Sequence, residues 1–205
     1  MGEEELIDQY MKPHGEEGIK IIESMNEEHQ NISEFAFECV NLGAYDDIID
    51  IGCGGGVNIE KFLNVTNGHV DGLDYSDVSV SESIKRNQTS VDGGRCNVIL
   101  GDVTDMPIGD ESYDLATAFS TIFFWPNLVE TFKEVKRIIK PNGQFMIAQG
   151  TDGTNPEDQE WIDTIAGINV YTANELEEYL LDAGFKRVDV FTKENTYLLV
   201  VIGKK

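Results

Sequence analysis

The sequence predicts an α/β fold in which a mostly parallel sheet of seven strands, one of them antiparallel, carries helices on both faces. Three observations lead to this prediction. From residue 45 onward, short apolar runs rich in β-branched residues alternate with segments of helical periodicity. A glycine-rich turn joins the first of these strands to the first helix after it. The last two strands, 186–192 and 197–202, are separated by a hairpin-sized gap, which makes one of them antiparallel.

The segment before the first strand has helical character. Apolar residues recur at helical spacing over 18–29, and Ser33 is expected to cap a second helix that Gly43 ends. We therefore predict one domain over residues 1–205, with a helical N-terminal cap over 1–44 and an α/β core over 45–205.

Within the core, strands and helices follow one another with recognisable start and stop signals. Helix starts are predicted after the glycine turn near Asn58, at Ser76, at Asn127 and at the capping box that begins with Thr172. The third of these helices should end at Pro141–Gly143, and the last at Gly184. Residues 103–112 are predicted to be a turn-rich connection or a short helix.

The turn after the first strand reads Asp50-Ile51-Gly52-Cys53-Gly54-Gly55-Gly56. Glycines there allow positive φ and leave main-chain atoms open to a ligand. The dinucleotide fingerprint needs Gly or Ala where Val57 stands, and a phosphate loop needs a lysine that does not occur before Lys61. Because Asp50 lies beside this turn, the loop suits a cationic ligand better than a pyrophosphate.

Two further strands end in acidic residues. Asp74 closes the strand 69–74, about one strand–helix–strand unit after Asp50, and Asp102 follows the strand 97–100. A carboxylate at the position of Asp74 is able to accept hydrogen bonds from both hydroxyls of a ribose. The order and spacing of these acids after a glycine loop make a ligand role more probable than an ordinary strand end.

Together these segments resemble the class I S-adenosylmethionine (SAM)-dependent methyltransferases, most closely the small-molecule enzymes of the ubiquinone and menaquinone biosynthesis type (methyltransferase domain 11/25-like). The resemblance covers about residues 45–203. It implies a Rossmann-like sheet, SAM as methyl donor and S-adenosylhomocysteine (SAH) as product. It also implies that Asp102 takes the adenine amino group and that the next backbone N–H meets the ring. The cofactor contacts that it implies are Asp50, Gly52, Cys53, Gly54, Gly56, Asp74, Tyr75, Asp102, Val103 and Phe119.

The acceptor is expected beyond the carboxyl ends of the strands, where ligands bind in open α/β sheets. Candidate substrate residues are Tyr10, His14, Asn26, Phe123 and Trp125. His29 is a candidate general base because it shares a helical face with Asn26, although a structural histidine explains the same pattern. The aromatic run 119–125 suits an apolar acceptor pocket and the protein core equally well. The loop 150–171 is long enough to form a lid.

Composition excludes several kinds of partner. With 15 basic and 38 acidic residues, the formal net charge is −23. Such a chain repels nucleic acids and anionic membranes, although the simplest reason for the acidity is solubility or a cytoplasm rich in salt or cations. No apolar run is long enough to span a membrane, and the acidic N-terminus is no signal peptide. We expect a cytoplasmic monomer or homodimer with a small-molecule partner.

The chain has three cysteines, an odd number, and their spacing is not that of a disulfide framework or a metal site. Reduced thiols are therefore expected, and no metal site is predicted.

The leading hypothesis is methyl transfer from SAM to a small-molecule acceptor by in-line displacement. Two alternatives stay open at this point. One is a non-catalytic SAM-binding sensor or partner-binding module, with which the absence of a compelling base is compatible. The other is an NAD-binding oxidoreductase, which Val57 opposes.

Overall fold

The computed structural model describes residues 9–164 and 167–205, so the predictions made for 1–8 and 165–166 lie outside the described residues. One sheet of seven strands runs through this part of the chain, in the order β3-β2-β1-β4-β5-β7-β6. The strands are β1 (Asp47–Ile51), β2 (His69–Asp74), β3 (Cys96–Leu100), β4 (Tyr113–Phe119), β5 (Ile139–Gln149), β6 (Arg187–Thr192) and β7 (Leu199–Lys204). The β5–β7 and β6–β7 pairs are antiparallel, so β7 alone runs against the others. The predicted fold class is confirmed.

Helices lie between the strands and ahead of the first one. In chain order they are α1 (Gly15–Glu28), α2 (Gln30–Glu38), α3 (Val57–Val65), α4 (Asp77–Arg86), α5 (Gln88–Asp92), α6 (Leu128–Ile138), α7 (Asp158–Thr164) and α8 (Ala173–Asp182). Short 3₁₀ turns occupy Leu42–Ala44 and Ile122–Phe124. Each strand of the parallel part is thus followed by a return connection, as parallel pairing requires.

Both faces of the sheet are buried. In β1, Ile49 and Ile51 belong to one apolar cluster and Ile48 to the other, and all three are fully buried. This explains why the strand is a continuous apolar run and not an alternating one. The strand order reverses between β1 and β4, and this switch point directs ligands to the carboxyl ends of those two strands.

Several predicted helix ends are confirmed. The Ser76 hydroxyl accepts a hydrogen bond from the Ser79 N–H at 3.1 Å and caps α4. The capping box at the start of α8 is complete, since the Thr172 hydroxyl accepts from the Glu175 N–H and the Glu175 carboxylate accepts from the Thr172 N–H. Both signals are local, so sequence spacing alone identifies them.

Three predicted helix ends are wrong. The second helix begins at Gln30, so Ser33 lies inside it with its hydroxyl donating to the Gln30 carbonyl, and this helix ends at Glu38 and not at Gly43. α6 ends at Ile138 and not at Pro141, because the chain pairs at once with β4 and its register is irregular over 139–144.

The predicted start of α6 is correct, since Asn127 directly precedes Leu128. Asn127 adopts φ 39°, however, and its side chain makes no capping hydrogen bond.

None of the helices that the structure describes combines the length and the hydropathy needed to cross a bilayer.

The α8 capping box provides a test of the fold. Thr172→Ala removes the side-chain acceptor of the Glu175 N–H, so it should lower the free energy of unfolding by about 1 kcal/mol. Urea denaturation followed by circular dichroism measures this. Thr89→Ala is the control, because Thr89 is exposed in α5, and its change should stay within about 0.5 kcal/mol. Equal effects of both substitutions would mean that the box adds nothing.

Candidate active site

The glycine turn between β1 and α3 depends on residues without a Cβ. Gly52, Gly54 and Gly56 have φ values of 73°, 51° and 75°, in the left-handed region that favours glycine. A Cβ on Gly52 would also collide with the Thr121 side chain, and one on Gly56 with the Ser83 hydroxyl. The three glycines therefore set the path of the loop and keep it close to its neighbours.

Neighbouring elements hold the loop in place. The N–H groups of Gly52 and Cys53 both donate to the Leu73 carbonyl, at 2.7 and 3.1 Å. At the end of α4, the Arg86 Nε donates a hydrogen bond to the Gly55 carbonyl at 3.0 Å. The side-chain amide of Asn87, the next residue, donates to the Gly56 carbonyl at the same distance. The loop is thus fixed from the β2 side and from the α4 side, which leaves its remaining face for a ligand.

Asp74 joins this loop to the one after β2. One oxygen of its carboxylate accepts the Gly54 N–H at 2.9 Å and the other accepts the Ser76 N–H at 2.9 Å. The side chain is buried, and burial raises the pKa of the Asp74 carboxyl despite these hydrogen bonds. Asp74 therefore combines a structural role with a position on the cavity wall.

Asp50 is buried more deeply. Its carboxylate accepts a hydrogen bond from the Thr117 hydroxyl at 2.7 Å. The pKa of this carboxyl is raised to about 7, chiefly by burial; the hydrogen bond from Thr117 acts to lower it, and the nearby charge of Asp74 adds to the rise. Two carboxyl groups thus share one buried site, which a cation entering the cavity would stabilise.

A cavity of about 110 Å³ lies over the glycine loop, which we call the cofactor cavity. Seven of the predicted cofactor residues line it: Asp50, Gly52, Cys53, Gly54, Asp74, Tyr75 and Phe119. Gly56 is not in the lining; it packs on α4 instead. Lysine and arginine are absent from the described lining residues, so no side-chain cation there would pair with a phosphate.

The predicted adenine residues lie elsewhere in this structure. Asp102 is exposed, and its carboxylate accepts both the N–H and the hydroxyl of Thr104, which lowers the pKa of Asp102. Val103 is buried in the core cluster on one face of the sheet. Neither lines the cofactor cavity, so the resemblance-based contact with adenine stays a prediction.

A segment from the N-terminus covers the cofactor cavity. We call residues Tyr10 to Pro13 the strap. The Tyr75 hydroxyl donates to the Met11 carbonyl, and the Ser76 hydroxyl donates to the Pro13 carbonyl at 2.6 Å. The Lys12 ammonium lies 4.9 Å from the centre of the Tyr75 ring, within the range of a cation–π interaction. The strap is therefore anchored directly after Asp74.

A second, larger cavity adjoins the first. It measures about 650 Å³, and we call it the acceptor chamber. Residues common to both cavities are Tyr10, Met25, His29, Ser120 and Phe124. The chamber also includes Phe123 and residues of the loop after β5, among them residues of α7. Two ligands bound in these cavities would meet at the shared residues.

His29 stands at this junction. It lies between α1 and α2, with its backbone N–H bonded to the Met25 carbonyl at 3.0 Å. Burial lowers the pKa of its imidazole, with a smaller opposing effect from Glu28, so the ring is neutral at pH 7. A neutral imidazole between the two cavities is suited to accept a proton from an acceptor.

Some of the remaining candidate substrate residues line the two cavities and others do not. Tyr10 lines both cavities, Asn26 the cofactor cavity and Phe123 the chamber. His14 lines neither: its backbone N–H donates to the Gln9 amide oxygen at 2.9 Å, which closes the base of the strap. Trp125 also lines neither, because it is buried and stacks on Phe145 with ring centres 6.2 Å apart.

Several lining residues were not among the sequence candidates. Ser79 is the most informative: it is buried, it lines the cofactor cavity, and its hydroxyl has no hydrogen-bond partner among the described residues. The Asn26 amide nitrogen, on a residue that was already a substrate candidate, is buried and unsatisfied in the same cavity. Unsatisfied buried polar atoms are uncommon in folded proteins, so both groups are suited to a polar ligand. Further lining residues outside the candidate set include Ile22, Met25, Ser33 and Asn58. Spacing alone gave no signal for them.

The raised pKa of Asp50 predicts a pH-dependent stability difference. A folded-state pKa of about 7, above the ordinary 3.8, means that the stability Asp50 contributes is present below about pH 4 and is lost as pH rises through 7. Asp50→Asn is neutral at every pH, so its stability relative to the wild type should rise as the pH increases from about 4 to about 7 and then level off. The total change in this difference should be on the order of 3–4 kcal/mol, and more than half of it should fall between pH 5 and pH 8.

Chemical denaturation of both proteins from pH 5 to pH 8.5 measures this difference. Glu178→Gln serves as the control, because Glu178 is exposed on α8 and its substitution should give no such trend. A pH-independent gap between the wild type and Asp50→Asn would contradict the assignment.

The family comparison agrees with this geometry. A family model described as a methyltransferase domain matches residues 49–147. The chain is 26% identical over 137 residues to 24-methylenesterol C-methyltransferase 2 of Arabidopsis thaliana, covering 66% of this chain and 38% of that protein. It is 28% identical over 142 residues to a sterol 4-C-methyltransferase of Caenorhabditis elegans, covering 64% and 38%. The chain thus spans about two fifths of the length of these curated relatives.

Solved structures share the fold over most of their length. A putative methyltransferase of Haloferax volcanii, solved with its Trm112 activator, superposes with a TM-score of 0.72 at 21% identity, covering 90% of this chain and 93% of that one. A possible histamine N-methyltransferase of Thermotoga maritima gives 0.73 at 17% identity, covering 97% and 98%. Residues 49–147 of the chain therefore match the methyltransferase-domain model, and the chain has the same fold as these solved methyltransferase structures.

Proposed function

We propose that this protein transfers a methyl group from SAM to a small-molecule acceptor. The observation that carries the proposal is the pair of buried carboxyl groups, Asp50 and Asp74, beside a glycine loop whose described cavity lining holds no lysine or arginine. Buried acids next to a ligand site favour a positively charged ligand. The methionine end of SAM carries an ammonium and a sulfonium, and it meets this requirement.

The residues of the cofactor cavity fit this cofactor. Asp74 offers its carboxylate at the end of β2, where the ribose hydroxyls are expected, and the open face of the glycine loop accommodates the methionine end. Ser79 and Asn26 supply buried polar atoms that lack partners in the described chain. When bound, SAM supplies an activated methyl group on a sulfonium leaving group. The cavity of about 110 Å³ is smaller than the roughly 300–1,000 Å³ typical of ligand sites, so the strap has to shift to admit the cofactor.

The protein's own contribution is orientation. His29 and Phe124 border both cavities, so an acceptor in the chamber lies against the cofactor site without intervening chain. Holding two reactants in line is worth roughly 7–11 kcal/mol of an activation barrier. His29 would take a proton from the acceptor at its free ring nitrogen. The sterol methyltransferases among the relatives carry apolar acceptors in their names, which supports an acceptor with an apolar body.

The two alternatives differ from this proposal in measurable ways. NAD would place a pyrophosphate beside Asp50 and Asp74, which the charge of the site disfavours. A non-catalytic SAM-binding module would leave the acceptor chamber without a function, although its volume of about 650 Å³ lies within the range of ligand sites. The proposed methyltransferase accounts for both cavities.

The cofactor assignment predicts the outcome of calorimetric titrations with SAM, SAH and NAD. We expect SAM and SAH to bind and NAD not to bind. Asp74→Ala should weaken SAM binding about 10- to 150-fold, because a charge-assisted hydrogen bond contributes roughly 1.5–3 kcal/mol. Since Asp74 also holds Gly54 and Ser76, the variant should lose thermal stability as well.

Asp92→Ala is the matched control for Asp74→Ala, because Asp92 is an exposed aspartate at the end of α5, outside the lining of either cavity. Its SAM affinity should equal that of the wild type. Binding of NAD in place of SAM, or unchanged SAM affinity in a folded Asp74→Ala protein, would refute the assignment.

The proton-acceptor role of His29 predicts a selective loss of turnover. With methyl-labelled SAM and a small-molecule extract as acceptor source, His29→Gln should transfer label about 10²- to 10⁴-fold more slowly. Its SAM affinity should be unchanged. His69→Gln is the control, because His69 lies at the start of β2, at the other end of the strand from Asp74, and pairs there with Asp71. Equal turnover by the wild type and His29→Gln would assign His29 a structural role.

A further inference from the structure

The charged side chains among the described residues that line the acceptor chamber are all negative. Carboxylates of Glu28, Glu157, Asp158 and Glu160 face it, and none of the described lining residues is lysine or arginine. An acceptor bearing a carboxylate or a phosphate would meet only repulsion there. The acidic side chains by themselves do not define a ligand, because acidic residues are abundant throughout this chain.

Asp158 differs from the other three because it is buried. Only 9% of the residue is exposed, whereas Glu28, Glu157 and Glu160 are exposed to solvent. One carboxylate oxygen accepts the Thr151 hydroxyl at 2.6 Å. The other oxygen receives no hydrogen bond from the described residues, although an ionised carboxylate has about four acceptor sites. This second oxygen is accessible to solvent, on a residue that lines the chamber, so it is able to accept a charge-assisted hydrogen bond from a cationic group of a ligand.

Four aromatic side chains line the chamber beside several polar ones. Phe123 and Phe124 are on the 3₁₀ turn after β4, Tyr10 is on the strap, and the side chain of Trp161 is on α7, one turn after Asp158. Trp161 is 51% exposed, so much of its ring is open to a ligand. Aromatic faces bind both apolar surfaces and cations. The wall therefore suits a molecule that is apolar over most of its length and positively charged at one point.

We propose that the acceptor is an amine with an apolar, preferably aromatic, body, and that Asp158 binds its ammonium group. This inference rests on the proposed function and names its acceptor class. The apolar body lies against Phe123, Phe124 and Trp161, and Thr151 keeps the Asp158 carboxylate in position. The negative charge of the chamber repels anionic acceptors, and a neutral acceptor would not form a charge-assisted hydrogen bond with the Asp158 carboxylate.

Three compounds that share an indole ring test this inference: tryptamine, tryptophol and indole-3-propionate. Each is titrated into the protein saturated with SAH. Tryptamine should bind about tenfold or more tightly than tryptophol, as expected for a hydrogen bond to a charged group. Indole-3-propionate should bind most weakly. In Asp158→Asn, the preference of tryptamine over tryptophol should fall below about threefold while SAH affinity is unchanged.

Asp163→Asn is the matched control. It makes the same change on the same helix, but Asp163 is exposed and lines neither cavity, so the amine preference should persist. Equal or tighter binding of tryptophol, an amine preference that survives in Asp158→Asn, or no binding of any of the three compounds would overturn the acceptor class while SAH binding still supports the proposed function. Failure of SAH itself to bind would overturn the proposed function, and the acceptor class with it.

Discussion

The carboxylate of Asp74 accepts hydrogen bonds from two backbone N–H groups, and the arrangement of the loops around the cofactor cavity depends on these two contacts. Parallel pairing places Ile51 beside Leu73, so the loops that leave β1 and β2 emerge side by side. Asp74 then joins them through Gly54 and Ser76. Removing such an acceptor leaves buried donors unsatisfied, at a cost of about 1–3 kcal/mol for each. The geometry of the glycine loop is therefore a property of two strands and not of the glycines alone.

Ser76 extends this connection in two directions. Its hydroxyl accepts the Ser79 N–H at the start of α4 and donates to the Pro13 carbonyl of the strap. α4 in turn holds the far side of the glycine loop through Arg86. One short segment after β2 thus couples a helix start, the cofactor loop and the N-terminal cover. A disturbance at any of these points is transmitted to the cofactor cavity.

Much of this architecture could be predicted from sequence because its signals are local. The glycine turn, the acid at the end of β2 and the capping box at Thr172 each lie within a few residues of the structure they specify. The failures have the opposite character. Ser33 is a good capping residue, but its helix begins three residues earlier, and the pairing of β5 with β4 overrides the stop signal at 141–143.

The candidate site shows the same division. The loop and strand-end residues on the cofactor side were identifiable because the sheet fixes where its carboxyl ends lie. Tyr10 of the strap was a candidate as well, but the way in which the strap is anchored could not be predicted, because the segment after β2 binds main-chain carbonyls of residues far away in sequence. Trp125 belongs to an aromatic run that fits a pocket or a core equally well, and only its stacking on Phe145 decides between them. Asp158 has no neighbouring motif, so only its burial distinguishes it.

The way in which the strap is anchored determines which of its residues are free to vary. Tyr75 and Ser76 bind carbonyl groups at positions 11 and 13, which every amino acid provides. The side chains at positions 11 and 13 therefore contribute little to these two anchoring bonds, whereas the hydroxyls of Tyr75 and Ser76 are required for them. Gly18 is constrained as well, because a Cβ there would press on Pro13. A strap of different sequence would therefore make the same two contacts as long as Tyr75 and Ser76 are present.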